Sequence, residues 1–166
     1  QNINGNSISG TITRLASSGD ITLFTSSTST DITNVTVNNN NNNFSNITLS
    51  GTATISGWVN TDAGLGNVTK TIDGNTFNNW TAGTGTGIIT AMNVNITSPN
   101  NATKNNTISN ISSAGNITGI TTAAGNDSIL LNTIQSLISA GTVATIVNGI
   151  AITAGTTKQI SRNTIY

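Results

Sequence analysis

The sequence predicts an all-β chain wound as a solenoid, and three observations carry that expectation. Ile, Val and Thr recur throughout with Asn, Ser and Gly, Glu is absent, and Lys, Arg, Gln and Leu are few. Such a palette suits short strands joined by tight turns rather than helices. Charge nearly vanishes, with five basic and five acidic residues among 166 and no His. A short phrase headed by Asn also returns along the chain, at Asn6, Asn42, Asn75, Asn106, Asn132 and Asn163.

The elements follow from aligning on those Asn residues. Ile72-Asp-Gly-Asn75-Thr-Phe77-Asn-Asn-Trp80 and Ile129-Leu-Leu-Asn132-Thr-Ile134-Gln-Ser-Leu137 carry the phrase in full. Asn42-Asn-Phe44-Ser-Asn-Ile47 and Asn106-Thr-Ile108-Ser-Asn-Ile111 keep it from the Asn onward. Ile3-Asn-Gly-Asn6-Ser-Ile8 opens the series and Ile160-Ser-Arg-Asn163-Thr-Ile165 ends it. The intervals of 36, 33, 31, 26 and 31 residues fall in the range of solenoids and propellers. They are too short, too uneven and too poor in aromatics for propeller blades of four strands. About five coils with loops of variable length fit better. A second apolar unit, as in Ile117-Thr-Gly119-Ile120 and Asn148-Gly149-Ile150, supplies another strand per coil. Residues 10–37 match the phrase least and are assigned to capping or lateral strands of the one domain, 1–166.

Each position in the phrase has an expected task. The Asn turns the corner, since Asn enters the left-handed region more readily than other non-Gly residues. Stacked coils bring equivalent Asn side chains into an amide ladder. The apolar residue two positions on faces inward, because strand periodicity is two, so Ile8, Phe44, Phe77, Ile108, Ile134 and Ile165 form a core stack. Trp80 is read as core and Trp58 is left unassigned. The run Asn38–Asn43 is read as a loop leading into a strand at Phe44.

These phrases, with Gly-Ile between them, resemble secreted right-handed parallel β-helix proteins of the pectate-lyase-like superfamily. They are similar above all to Asn/Thr-rich repeat proteins of Bacteroidetes-type cell surfaces. The resemblance implies a right-handed parallel β-helix in an extracellular setting. The chain opens on Gln1 rather than Met, which reads as a mature or excised piece.

Chemistry is harder to find. Without His or Cys, zinc sites and nucleophilic dyads lose their usual residues. Lyases and hydrolases need carboxylates gathered in one groove. Asp20, Asp31, Asp62, Asp73 and Asp127 share no repeat phase and are read as loop residues. Gly83-Thr-Gly85-Thr-Gly87 lacks the Lys and helix of a phosphate loop. Sequons such as Asn34, Asn46, Asn67, Asn95 and Asn116 are about as frequent as this composition gives by chance. Net neutrality leaves no footprint for nucleic acid, and no stretch reaches the roughly 18 apolar residues of a membrane span.

The expectation is a non-enzymatic, secreted structural protein without cofactor: a filament subunit or adhesin stalk. Its partner is another copy of itself, joined through ends that share a repeat phase, at Ile3, Ile8, Ile160, Ile165 and Tyr166. The alternative is a carbohydrate- or ice-binding module using Trp58 or rows such as Thr11-x-Thr13, Thr52-x-Thr54 and Thr84-x-Thr86.

Overall fold

The computed structural model describes residues 2–13, 19–27, 29–30, 36–51, 53–64, 68–82 and 87–166. These form a parallel β-solenoid in which each coil contributes one strand to each of three sheets. Sheet I takes β1 (Ser7–Thr13), β5 (Asn43–Ser50), β9 (Thr76–Ala82), β12 (Thr107–Ser113), β15 (Thr133–Ser139) and β18 (Thr164–Ile165). Sheet II takes β2 (Asp20–Ser26), β6 (Thr54–Asn60), β10 (Ile89–Val94), β13 (Ile117–Thr122) and β16 (Val147–Ile152). Sheet III takes β4 (Thr36–Asn40), β8 (Thr69–Asp73), β11 (Asn100–Lys104), β14 (Asn126–Leu130) and β17 (Thr157–Ser161). A short pair, β3 (Ser29–Thr30) with β7 (Ala63–Gly64), lies between sheets II and III. The described part of 10–37 runs within the coil: β2 is an edge strand of sheet II, paired with β6.

Strand register explains the core. In sheet I, Ile8, Phe44, Phe77, Ile108, Ile134 and Ile165 stand one above another, and Phe44 stacks on Phe77 with centroids 5.1 Å apart. Ile47, Trp80, Ile111 and Leu137 form the next column. Sheet II answers with Phe24, Trp58, Met92, Ile120 and Ile150 in register. Trp58 and Trp80 are both fully buried, and the indole N–H of Trp80 donates to the Phe44 carbonyl at 2.6 Å.

The Gly-Ile units have a packing reason. Gly57, Ala91, Gly119 and Gly149 occupy equivalent places on sheet II, just before its inward column. A Cβ on Gly57 would fall 2.5 Å from the Trp80 ring, and one on Gly149 would fall 2.7 Å from Ile165. In these four coils only the smallest residues leave room where the sheet I column crosses, whereas the edge strand β2 has Leu23 at that place.

Corners differ in detail from the expectation. The left-handed residue precedes each ladder Asn: Gly5, Asn41, Gly74, Asn105, Leu131 and Arg162 have φ between 53° and 70°. The ladder Asn itself is freed to point inward. The run Asn38–Asn43 is no loop: Asn38–Asn40 belong to β4, Asn41 and Asn42 turn the corner, and Asn43 starts β5.

Candidate functional site

Two corners carry the buried polar chemistry, and the last coil carries most of the exposed apolar surface. At the corner from sheet III to sheet I, each ladder Asn donates to the next through both its backbone N–H and its side-chain amide. The amide distances onto Oδ1 are 2.9 Å from Asn6 to Asn42, 3.0 Å from Asn42 to Asn75, and 2.9 Å for the steps to Asn106, Asn132 and Asn163. The backbone donations run between 2.9 and 3.0 Å. The second amide hydrogen reaches a carbonyl of the preceding coil, as from Asn106 to Ile72 at 3.1 Å. An unpaired buried amide costs roughly 2–7 kcal/mol, so full satisfaction is what permits Asn75, Asn106 and Asn132 to be sealed from solvent.

At the corner from sheet II to sheet III, the solution changes from coil to coil. One inward column of sheet III reads Val37, Lys70, Asn101, Asp127 and Lys158. Lys70 meets Asp62, from the loop after β6, at 3.4 Å, with both side chains buried. Ser26 donates to both Asp62 oxygens at 3.0 Å. Burial pulls the Lys70 pKa below the ordinary lysine value of 10.5, against the Asp62 carboxylate, which favours the charged amine. Two coils on, Asp127 accepts from Lys158 at 2.5 Å, from Asn101 at 3.1 Å and from the Thr122 hydroxyl. Lys158 also donates to Thr122 Oγ1 at 2.8 Å and the Ala124 carbonyl at 2.7 Å.

Asp20, Asp73 and Asp127 depart from their reading as loop residues, since each lies in a strand. Asp62 does lie in a loop but is sealed, and Asp127 lies in β14 with its side chain inward. Asp73, in β8, pairs across coils with Lys104 at 3.4 Å on the outer surface. Asp20 starts β2 and is exposed. Arg14, Asp31, Asn34, Thr52, Asn67 and Gly83–Thr86 lie outside the described residues.

A periodic signal for this column was present in the sequence. Lys70, Asn101, Asp127 and Lys158 each stand five residues before a ladder Asn and repeat its spacings of 31, 26 and 31. Residue type hid the column, because cation, amide and anion alternate in one place. Asp62 has no such signal.

At the ends, Ile3 and Ile8 are half-buried in the first coil. The last coil is more open: Ile160 is 39% exposed, Ile165 54% and Tyr166 74%. A cavity of about 200 Å³ opens there between Ile134, Leu137, Val147, Gly149, Ile165 and Tyr166. No protein-family model, curated protein or solved structure matches the chain.

Proposed function

We propose that this chain is a non-enzymatic, extracellular structural protein, a solenoid rod whose copies stack head to tail into a fibre at a cell surface. The polarity of the Asn ladder carries this reading. At every step an Asn donates to the Oδ1 of its successor. Asn163 is left with the donors that a following Asn would accept, and Asn6 with the Oδ1 that a preceding one would use. A second copy placed after β18 would set its Asn6 on Asn163, its Ile8 on Ile165 and its Ile3 on Ile160. That joint is heterologous and does not close, so it would grow into a filament. It would also cover the apolar surface at Ile165 and Tyr166 and the unpaired edges of β16, β17 and β18.

The Asn-Thr-Ile phrases support the finer kinship with secreted, pectate-lyase-like β-helix surface proteins, and the uncharged Asn/Thr exterior suits lateral packing of rods. Electron microscopy of the purified chain over about 1–100 μM tests the proposal, since a filament joint is concentration-dependent. Long uniform fibres are expected, with loss of fibres but an unchanged circular dichroism spectrum for Ile165→Lys. Discrete rods at every concentration would overturn it.

One observation favours the binding alternative. The six strands of sheet I carry no charged residue, and Thr76, Thr107, Thr133 and Thr164 form an outward row. Such a row suits an ordered lattice of water or saccharide hydroxyls. Trp58 offers no stacking platform for a sugar, because it is buried. Thermal hysteresis by the wild type, abolished by Thr107→Leu, would transfer the function to that face.

A further inference from the structure

The Lys70 ammonium is poorly served. Lys158, in the same column, makes three hydrogen bonds of 2.5–2.8 Å. Lys70 has one ion contact at 3.4 Å and no well-formed hydrogen bond, though its side chain is only 1% exposed. Three other buried atoms at the same corner also lack partners: Asn60 Nδ2, Ser98 Oγ and Asn101 Oδ1.

The residues that bear these atoms are linked through one corner. Asn101 is the cross-strand neighbour of Lys70, and its amide donates to the Ser98 carbonyl at 2.8 Å. The Asn60 Oδ1 accepts from the Asp62 backbone at 3.1 Å. The Asp62 carbonyl accepts from Thr97, next to Ser98, at 3.2 Å. Lys70 and Asn60 are short of acceptors, Asn101 is short of a donor, and Ser98 can serve as either. A halide would answer the donors alone, and the Asp62 carboxylate beside the ammonium would repel it. Water accepts and donates together, and three partners are the usual complement of a buried water.

We propose that the corner between sheets II and III, at the coils of Lys70 and Asn101, is an internal hydration site. One or two fixed waters link Lys70 Nζ to Ser98 Oγ and Asn101 Oδ1 and reach the free amide hydrogens of Asn60. The site is confined to those coils. Around Asp127 and Lys158 the protein supplies the partners itself.

The sign of a single substitution tests this. If a water bonds the Ser98 hydroxyl, Ser98→Ala removes a hydrogen bond and lowers Tm by about 2–4 °C. If that hydroxyl has no partner, removing it relieves a buried polar group and Tm stays level or rises. Thr103 is the internal control. Its hydroxyl is also unpartnered, but its column neighbours are Ile72 and Ile129, so Thr103→Val should hold or raise Tm. A crystal structure at about 1.2 Å provides the direct readout, with density expected within hydrogen-bonding distance of Lys70 Nζ and Ser98 Oγ. A Ser98→Ala protein as stable as wild type, or an empty corner at that resolution, would overturn the proposal.

Discussion

The two polar corners face the same problem and solve it differently. Both must bury side chains where the backbone turns between sheets. The ladder corner uses one residue type at every coil, and each Asn satisfies its neighbours on both sides through near-identical bonds. The other corner uses an ion pair at Asp62–Lys70, an amide at Asn101, and a second ion pair at Asp127–Lys158. A neutral amide is donor and acceptor at once, so it stacks without limit; a charge cannot stack on its own kind and must find an opposite partner. Repetition is therefore available to the first corner and closed to the second.

The largest expected effects come from removing one half of an arrangement. Asp62→Leu alone leaves the Lys70 charge buried without its counter-ion and should cost about 3–5 kcal/mol in denaturant unfolding. At the ladder, Asn106→Ala strips the acceptor from the Asn75 backbone and amide and the donors from Ile72 and Asn132. It should cost about 3 kcal/mol or more, measured the same way. A loss below about 1 kcal/mol there would break the claim that the ladder must be continuous.

Replacing both members of the pair sharpens the contrast. Asp62→Leu with Lys70→Met should recover most of the single-variant loss, to within about 1 kcal/mol of wild type or better, since a packed apolar pair avoids desolvating two charges. No pairwise change does this at the ladder, where each Asn serves two neighbours. A double variant as unstable as Asp62→Leu would overturn the assignment.

A smaller effect follows from protonation. The folded pKa of Lys70 lies below 10.5, so between that value and 10.5 the unfolded chain binds more protons than the native one. Unfolding free energy then rises with pH across that window. Melting curves from about pH 8 to 10.5 should show wild type gaining on the double variant. A flat difference would mean that burial does not perturb the amine.

The smallest change concerns the turn before the ladder. Leu131 holds φ at 56° where other coils use Gly5, Gly74, Asn41 and Asn105, and its side chain is 47% exposed. Leu131→Gly should raise Tm by about 2–4 °C, because a branched side chain is strained in the left-handed region. A fall in Tm would show that Leu131 contributes packing that outweighs the strain.

The sequence by itself determined the all-β class, the solenoid, the ladder positions and the inward column from Ile8 to Ile165. The class rests on composition and the other three on identical or equivalent residues at a repeated interval, and parallel stacking converts repetition in sequence into contact in space. Three features were decided only by tertiary structure. The left-handed turn moved one residue ahead of the Asn, because a side chain that must point inward to its neighbours is best held by a separate turning residue. The run Asn38–Asn43 was divided between two strands, since flanking Val37 and Phe44 had inward places to fill. The ion pairs joined residues of unlike type, and the partner of Lys70 came from a loop outside the repeat. Complementary charges leave no repeated letter to read, so only the closing of one coil on the next brings Asp62 to Lys70.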